Sequence, residues 1–464
     1  MPSIAASLAI GLLAGSALAT PTPAKREAVT SLAVRQDAKI TDTNLLEAAL
    51  SSASADLASL ASRGEAILND VVPTATPTAI SQLADEFKSI NDTTGLGDIL
   101  ASGAKVLLNG LAGGDYQQIA NAYLKESSTD NSNPRQPIRP VYPKASPNDA
   151  PYSLSEAALR KVIYIPPGFT YGRVQPVILL PGTGAVAGQN FGPNIGKLLM
   201  NGEIGDPVYV NIPRENLADI QLAAEYAAYA VNYISGISQG KNVSTISWSA
   251  GSLDGQWALK YWPSNRQHLS NAIRISPDHH GSELEPLLCI PGTDIPGCTP
   301  AIVQQAYNST FIRTLRNNDG DSAYVPTTNI YTIFDEIVQP QSDPNASAFL
   351  KDARGVGVTN VELQSVCGAV APGGSFNNNH EGVLYNALAY SLAIDALTHS
   401  GPGSLARVDT SAECAKFAAD GLSLADVLAT HALIPLAIGA ILVYEPKNGQ
   451  EAPIRAYAQK DIPA

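Results

Sequence analysis

The sequence is short of positive charge. Its 29 lysines and arginines stand against 42 aspartates and glutamates, a net charge of −13, and no basic run offsets it. Nucleic acid and anionic membrane surfaces are gripped by clustered Lys and Arg, so neither is an expected partner. Cysteine is as scarce: Cys289, Cys298, Cys367 and Cys414 include no Cys-x-x-Cys. No His/Cys spacing suits a metal, so no metal site is expected. An even number of cysteines in an oxidising compartment reads as two disulfides. Three pairings are open, the two local ones, Cys289–Cys298 and Cys367–Cys414, being favoured. Long apolar runs are missing from the later chain. The longest, Ala432–Tyr444, is too short to cross a bilayer and contains Pro435, so no transmembrane segment is expected.

What is present begins with "SIAASLAIGLLAGSALAT", a short apolar stretch closing on Ala17-Leu18-Ala19. It reads as a secretory signal over 1–19, without the usual positive n-region. Lys25-Arg26 then looks like a dibasic processing site, which makes Thr20–Arg26 a short pro-segment within a pro-segment and flexible stretch over 20–37. Asn91, Asn242, Asn308 and Asn345 each head a glycosylation sequon. An extracellular, secreted protein is the expectation. Its length favours two or three domains, and a hydrophobic content of 45% allows a sizeable core.

Residues 38–126 are rich in Ala, Leu and Ser at helical spacing, as in "NLLEAALSSASADLASLASRGEAIL". "PTATPTA" interrupts that pattern, and three further helical pieces follow. Residues 127–151 are polar and dense in proline, a linker composition. From 152 to 464 short β-branched runs alternate with helical ones. "VQPVILLPG", "DPVYVNIP", "VSTISWS", "AIRISPD" and "NIYTIFDE" read as strands, with "VELQSVC" as a last one. Such alternation means an α/β fold with a mostly parallel sheet.

Within it, "SWSAG" nearly matches G-x-S-x-G, with Ser247 at the first small position. Strand "VSTIS" precedes Ser249 and helix "GSLDGQWALKYW" follows, the context of the nucleophile elbow of an α/β-hydrolase. On that fold the acid and then a histidine come later in the chain. Asp335 closes "NIYTIFDE" and is the expected acid, while Asp278, one strand earlier, lies on the same edge and can orient substrate or the histidine. His380, in the loop "FNNNHEGVLYN", is the expected base. His279 and His280 precede the acid, and His399 and His431 read as packing or surface residues at helix ends. The glycine-rich "ILLPGTGAV" supplies the other half of an oxyanion hole, through Thr183 opposite the N–H of Ala250. Residues 182–187 also satisfy G-x-G-x-x-A, but the next strand ends in Asn211 and Pro213 where a dinucleotide site wants an acid. No cofactor is expected.

Together these residues resemble the Candida antarctica lipase B family of secreted fungal lipases. The match runs from about Tyr152 to the C-terminus on "ILLPGTG", "TISWSAG", "QWALKYWPS", "ISPDHHG", "VPTTNIYTIFDEIVQPQ", "VCG" and "YEPKNG". The resemblance implies a Ser249–His380–Asp335 triad with Thr183 and Ala250 as oxyanion donors. It implies that Trp248 walls the alcohol pocket, that Ile337 and Val338 line the acyl side, and that Asp278 sits near the triad. Cys367/Cys414 match a family disulfide, whereas Cys289/Cys298 fall where the family has its small mobile lid. Residues 38–126 have no match in the family's best-known member. They are expected to cover the site or aid folding as a retained pro-region, or else to form an independent helical domain.

The reading is a serine carboxyl-ester hydrolase acting through an acyl-enzyme, with triacylglycerol or other long-chain esters as substrates. Soluble short-chain esters are the nearest alternative. A non-catalytic binding module on the same fold is the other.

Overall fold

The computed structural model describes residues 39–463 apart from 54–56, 91–95, 290–294, 296 and 343. The expected signal over 1–19, the pro-segment over 20–37 and the sequon at Asn91 lie outside the described residues. Asn242, Asn308 and Asn345 are exposed.

The apolar runs become seven strands: β1 Ile163–Tyr164, β2 Gln175–Leu180, β3 Gly205–Val210, β4 Val243–Trp248, β5 Leu269–Ile275, β6 Thr327–Tyr331 and β7 Val358–Glu362. They form one sheet in the order β1-β3-β2-β4-β5-β6-β7. β1 is antiparallel to β3, and every other pairing is parallel. β4 is buried along its whole length and β2 along all but its first residue. Central parallel strands are covered on both faces, which is why they appear in the sequence as continuous apolar runs. Two corrections follow. "VELQSVC" is strand only to Glu362, after which Leu363–Cys367 turns helical. β1 is too short for any periodic pattern to announce it.

The helices that bear on the site are α1 Thr43–Ala53, α2 Leu57–Asp70, α3 Leu83–Ile90, α4 Leu96–Leu108, α5 Tyr116–Ala120, α6 Ile220–Ile237, α7 Gly251–Tyr261, α8 Pro300–Gln305, α9 Ala387–Thr398, α10 Leu424–His431 and α11 Leu433–Val443. α6 is buried on nearly every side, and Asp219 caps it by accepting from the N–H of Gln221. Read together, α10 and α11 make an apolar stretch over Leu424–Val443 long enough for a bilayer, but two-thirds of it is buried inside the protein.

Residues 39–464 form one compact unit. Leu46, Leu68, Leu83, Leu100 and Leu107 of the N-terminal helices share one buried cluster with Val427, Ile438 and Leu442. Leu288, Cys289 and Cys298 belong to the same cluster. Close approach is possible because small residues sit at the crossings: a side chain on Gly439 would collide with the Tyr116 hydroxyl. Residues 127–151 contain no helix or strand and run along the α/β part. The Asn131 N–H donates to the Lys161 carbonyl at 2.7 Å, and Asp149 accepts from the Ser264 N–H at 3.0 Å.

Candidate active site

β4 lies in the middle of the sheet, so its carboxyl end opens at the crevice where α/β folds place their chemistry. Ser249 follows at once, with φ of +52°, the left-handed region that a side chain enters only under constraint. The constraint is visible. The Ser249 N–H donates to the Ile275 carbonyl at 3.0 Å, and its carbonyl accepts from Ser252 at 2.8 Å. Gly182 faces Ser249 so closely that an added Cβ would lie 3.1 Å from the serine Cβ and 2.5 Å from the Trp248 ring. α7 begins at Gly251, so the positive end of its dipole faces the turn.

Ser247, the departure from glycine in the motif, has its own explanation. Its hydroxyl accepts from Nη1 of Arg274 at 3.1 Å and pairs with the Ser252 hydroxyl at 2.9 Å. Arg274 is wholly buried beneath the elbow, where burial pushes it down to about 10 against the charge of Asp254. The arginine inside the strand "AIRISPD" was the unread signal.

Asp335 and His380 are brought together from the loops after β6 and β7. Oδ2 of Asp335 meets Nδ1 of His380 at 2.8 Å, and Oδ1 accepts from the N–H groups of Ile337 and Val338 at 3.0 and 2.7 Å. With Nδ1 committed to the carboxylate, Nε2 is the nitrogen left to exchange a proton. Asp278 makes no such bond. Both its oxygens are buried without a hydrogen-bond partner among the described residues, and desolvation pushes its carboxyl up to about 7. Glu285, in the short helix Glu285–Leu288, has a buried Oε2 equally unpartnered and is raised well above its ordinary range by burial and then by Asp278.

Trp248 is buried and holds the histidine from behind. Its indole N–H donates to the His380 carbonyl at 3.1 Å, and the two rings lie 4.9 Å apart. Val338 is buried and Ile337 partly so.

The glycine-rich loop after β2 is pinned by residues from elsewhere. The Gly182 N–H donates to Asn190 at 2.8 Å, and the Thr183 hydroxyl donates to Oε1 of Gln305 at 3.0 Å, at the end of α8. The hydroxyl is therefore engaged, and Thr183 offers its N–H. Gly184 has φ of +74° and abuts Ala437 of α11, which leaves no room for a side chain. Gln305 carried no sequence signal, since its partner lies 122 residues away in the chain.

A carboxyl cluster surrounds the histidine. The His380 N–H donates to Oε2 of Glu336 at 3.0 Å. Asn379 bridges Glu336 and Glu381 at 3.2 and 2.9 Å. Burial by itself would depress His380. The charge and hydrogen bond of Asp335, then the charges of Glu336 and Glu381, outweigh it and raise the imidazole to about 9. Catalysis by a general base needs that imidazole neutral. Glu336→Gln removes one attracting charge, so the acid limb of kcat/KM should move to lower pH by about one unit. A pH profile of ester hydrolysis checks this, and a limb that stays put or moves upward contradicts it.

Of the other histidines, His279 is buried on Asn329 at 3.1 Å, held down to about 3 by burial and Arg274. His399 is exposed and pairs with Asp395. His431, expected as a packing or surface residue, is fully buried against Glu381 at 2.6 Å. The disulfides are Cys289–Cys298 and Cys367–Cys414, the local pairs. The first bridges the segment where the lid was expected.

No protein-family model matches the chain. Lipase B of Pseudozyma antarctica is 31% identical over 289 residues, 61% of this chain and 79% of that protein. The crystal structure of Aspergillus fumigatus lipase B superposes with a TM-score of 0.79 at 45% identity, covering 89% of this chain and all of the other. That share is larger than residues 152–464 alone, so the likeness extends into the N-terminal helices.

Proposed function

The chain belongs to the lipase B family, and on that premise we propose that it is a secreted triacylglycerol lipase working through Ser249, His380 and Asp335. It is a carboxylic ester hydrolase on the α/β-hydrolase fold. The observation that carries the finer reading is the 2.8 Å contact between His380 Nδ1 and an Asp335 carboxylate already oriented by two backbone N–H groups.

In this mechanism His380 takes the proton of Ser249 through Nε2 as the hydroxyl oxygen attacks the ester carbonyl. Asp335 holds the tautomer and stabilises the imidazolium. The oxyanion forms against the N–H groups of Thr183 and Ala250, with the start of α7 behind it. The alcohol leaves with the histidine's proton, and water activated by the same imidazole releases the acid. Val338 beside Asp335 and Ala437 against Gly184 give the site apolar neighbours, which favours long acyl chains. Two disulfides fit an oxidising, extracellular setting.

p-Nitrophenyl esters of rising chain length, dissolved and emulsified, test the substrate class. Turnover should rise from acetate toward long chains and persist in emulsion. Activity confined to short dissolved esters would make the protein a short-chain esterase instead.

A further inference from the structure

A second imidazole–carboxyl pair lies behind the first. Nδ1 of His431, at the end of α10, meets Oε1 of Glu381 at 2.6 Å, and Nε2 meets the Tyr385 hydroxyl at 2.9 Å. The Tyr385 hydroxyl also bonds the Asn377 carbonyl. Phe87 of α3 lies over the His431 ring at a centroid distance of 4.1 Å and a 34° tilt. Phe87, Tyr385, His431, Glu381, Asn377 and Asn379 are all at least nine-tenths buried.

Hydrogen-bond counting fixes the protonation of the pair. The Asn377 carbonyl can only accept, so the single Tyr385 hydrogen goes to it. Nε2 of His431 must then donate to the tyrosine oxygen. If the imidazole is neutral, Nδ1 is an acceptor, and Glu381 must be the protonated partner. If the imidazole is charged, Glu381 is a carboxylate. Either way the pair holds one proton more than a neutral histidine beside a carboxylate, and its net charge is zero. Burial holds His431 down to about 3 and pushes Glu381 up to about 7, so the two groups share that proton.

The groups facing the pair are few. Glu336 and His380 lie on the site's side and Tyr385 on the other. α3 presents Phe87 to it, while Asp85, Glu86 and Lys88 of that helix are exposed. On α10, Asp426 is turned to Lys197. Glu381 directly follows His380 in the chain, and its side chain is joined to the base a second time through Asn379 and Glu336, which takes the His380 N–H.

We propose that Phe87, His431 and Glu381 are positioning residues for His380: helix α3 of the N-terminal region clamps a proton-sharing Glu381–His431 pair against the loop that carries the base. The proposal rests on reading His380 as the general base. It gives the N-terminal helices a part in turnover that a detachable cover does not have, because displacing a base by a fraction of an ångström is enough to slow proton transfer.

The test measures kcat and KM on p-nitrophenyl butyrate for Glu381→Gln, Glu381→Ala, Phe87→Ala and Phe87→Leu, with active sites counted by covalent fluorophosphonate labelling. Glutamine keeps a neutral donor toward Nδ1, so Glu381→Gln should hold kcat within about threefold of the parent. Glu381→Ala and Phe87→Ala should lower kcat about tenfold or more, with KM within about twofold. Phe87→Leu fills the space without the ring, folds where alanine fails, and should lose about threefold in kcat. Glu381→Gln falling as far as Glu381→Ala overturns the proton-sharing pair. Unchanged kcat in both Phe87 variants overturns the clamp. His380→Ala runs alongside, and if it keeps full turnover, the base reading fails separately from the clamp.

Discussion

Ser249→Ala is expected to abolish ester hydrolysis, lowering kcat by about 10⁵- to 10⁶-fold, the loss seen when the nucleophile of a triad is removed. The expectation follows from how the elbow is built. Ser249 sits at a positive φ held by its N–H donating to Ile275 and its carbonyl accepting from Ser252, so the chain spends strain to present one hydroxyl at the carboxyl edge. Alanine keeps that backbone and the oxyanion donors but has nothing to attack with. The variant should fold, bind ester and stay unlabelled by a fluorophosphonate. Turnover within about a hundredfold of the parent would place the nucleophile elsewhere and remove the basis for roles at His380 and Asp335.

How far the sequence could be read depended on whether a feature is local. The strands of the parallel sheet announce themselves because both faces are covered, and "VSTISWSAG" carries its own turn. The pairing of Asp335 with His380 was accessible because chain order on this fold is constrained, although 45 residues separate them. Groups held only by tertiary contact left no trace. Gln305 reaches Thr183 across 122 residues, and His431 reaches Glu381 across 50. A histidine closing a helix normally faces water or the helix dipole, which is why His431 read as packing or surface. Only its burial beneath Phe87 gives it another meaning. Ser247 was visible as a departure from the motif, but Arg274 on the neighbouring strand was needed to explain it.

A chain that begins at Ser127, without the N-terminal helices, is expected to be lost as soluble enzyme. Leu46, Leu68, Leu83, Leu100, Leu107, Leu108 and Leu111 are all buried in the cluster shared with α10 and α11. Each such side chain contributes roughly 1.5–3 kcal/mol, and the sum is of the size of a whole domain's stability, about 5–15 kcal/mol. Deletion also bares the partners of those leucines: Val427 and Leu428 on α10, and Ile438, Ile441 and Leu442 on α11. α11 carries Ala437 against Gly184, so its loosening would reach the oxyanion loop directly. Leu288, Cys289 and Cys298 would lose packing partners as well. Soluble yield, thermal unfolding and ester turnover of the shortened chain measure the effect. Aggregation, or a folded fraction without turnover, is the expected result. A soluble protein with the parent's kcat and KM would make residues 39–126 a separable unit, and the apolar contacts along α11 incidental to catalysis.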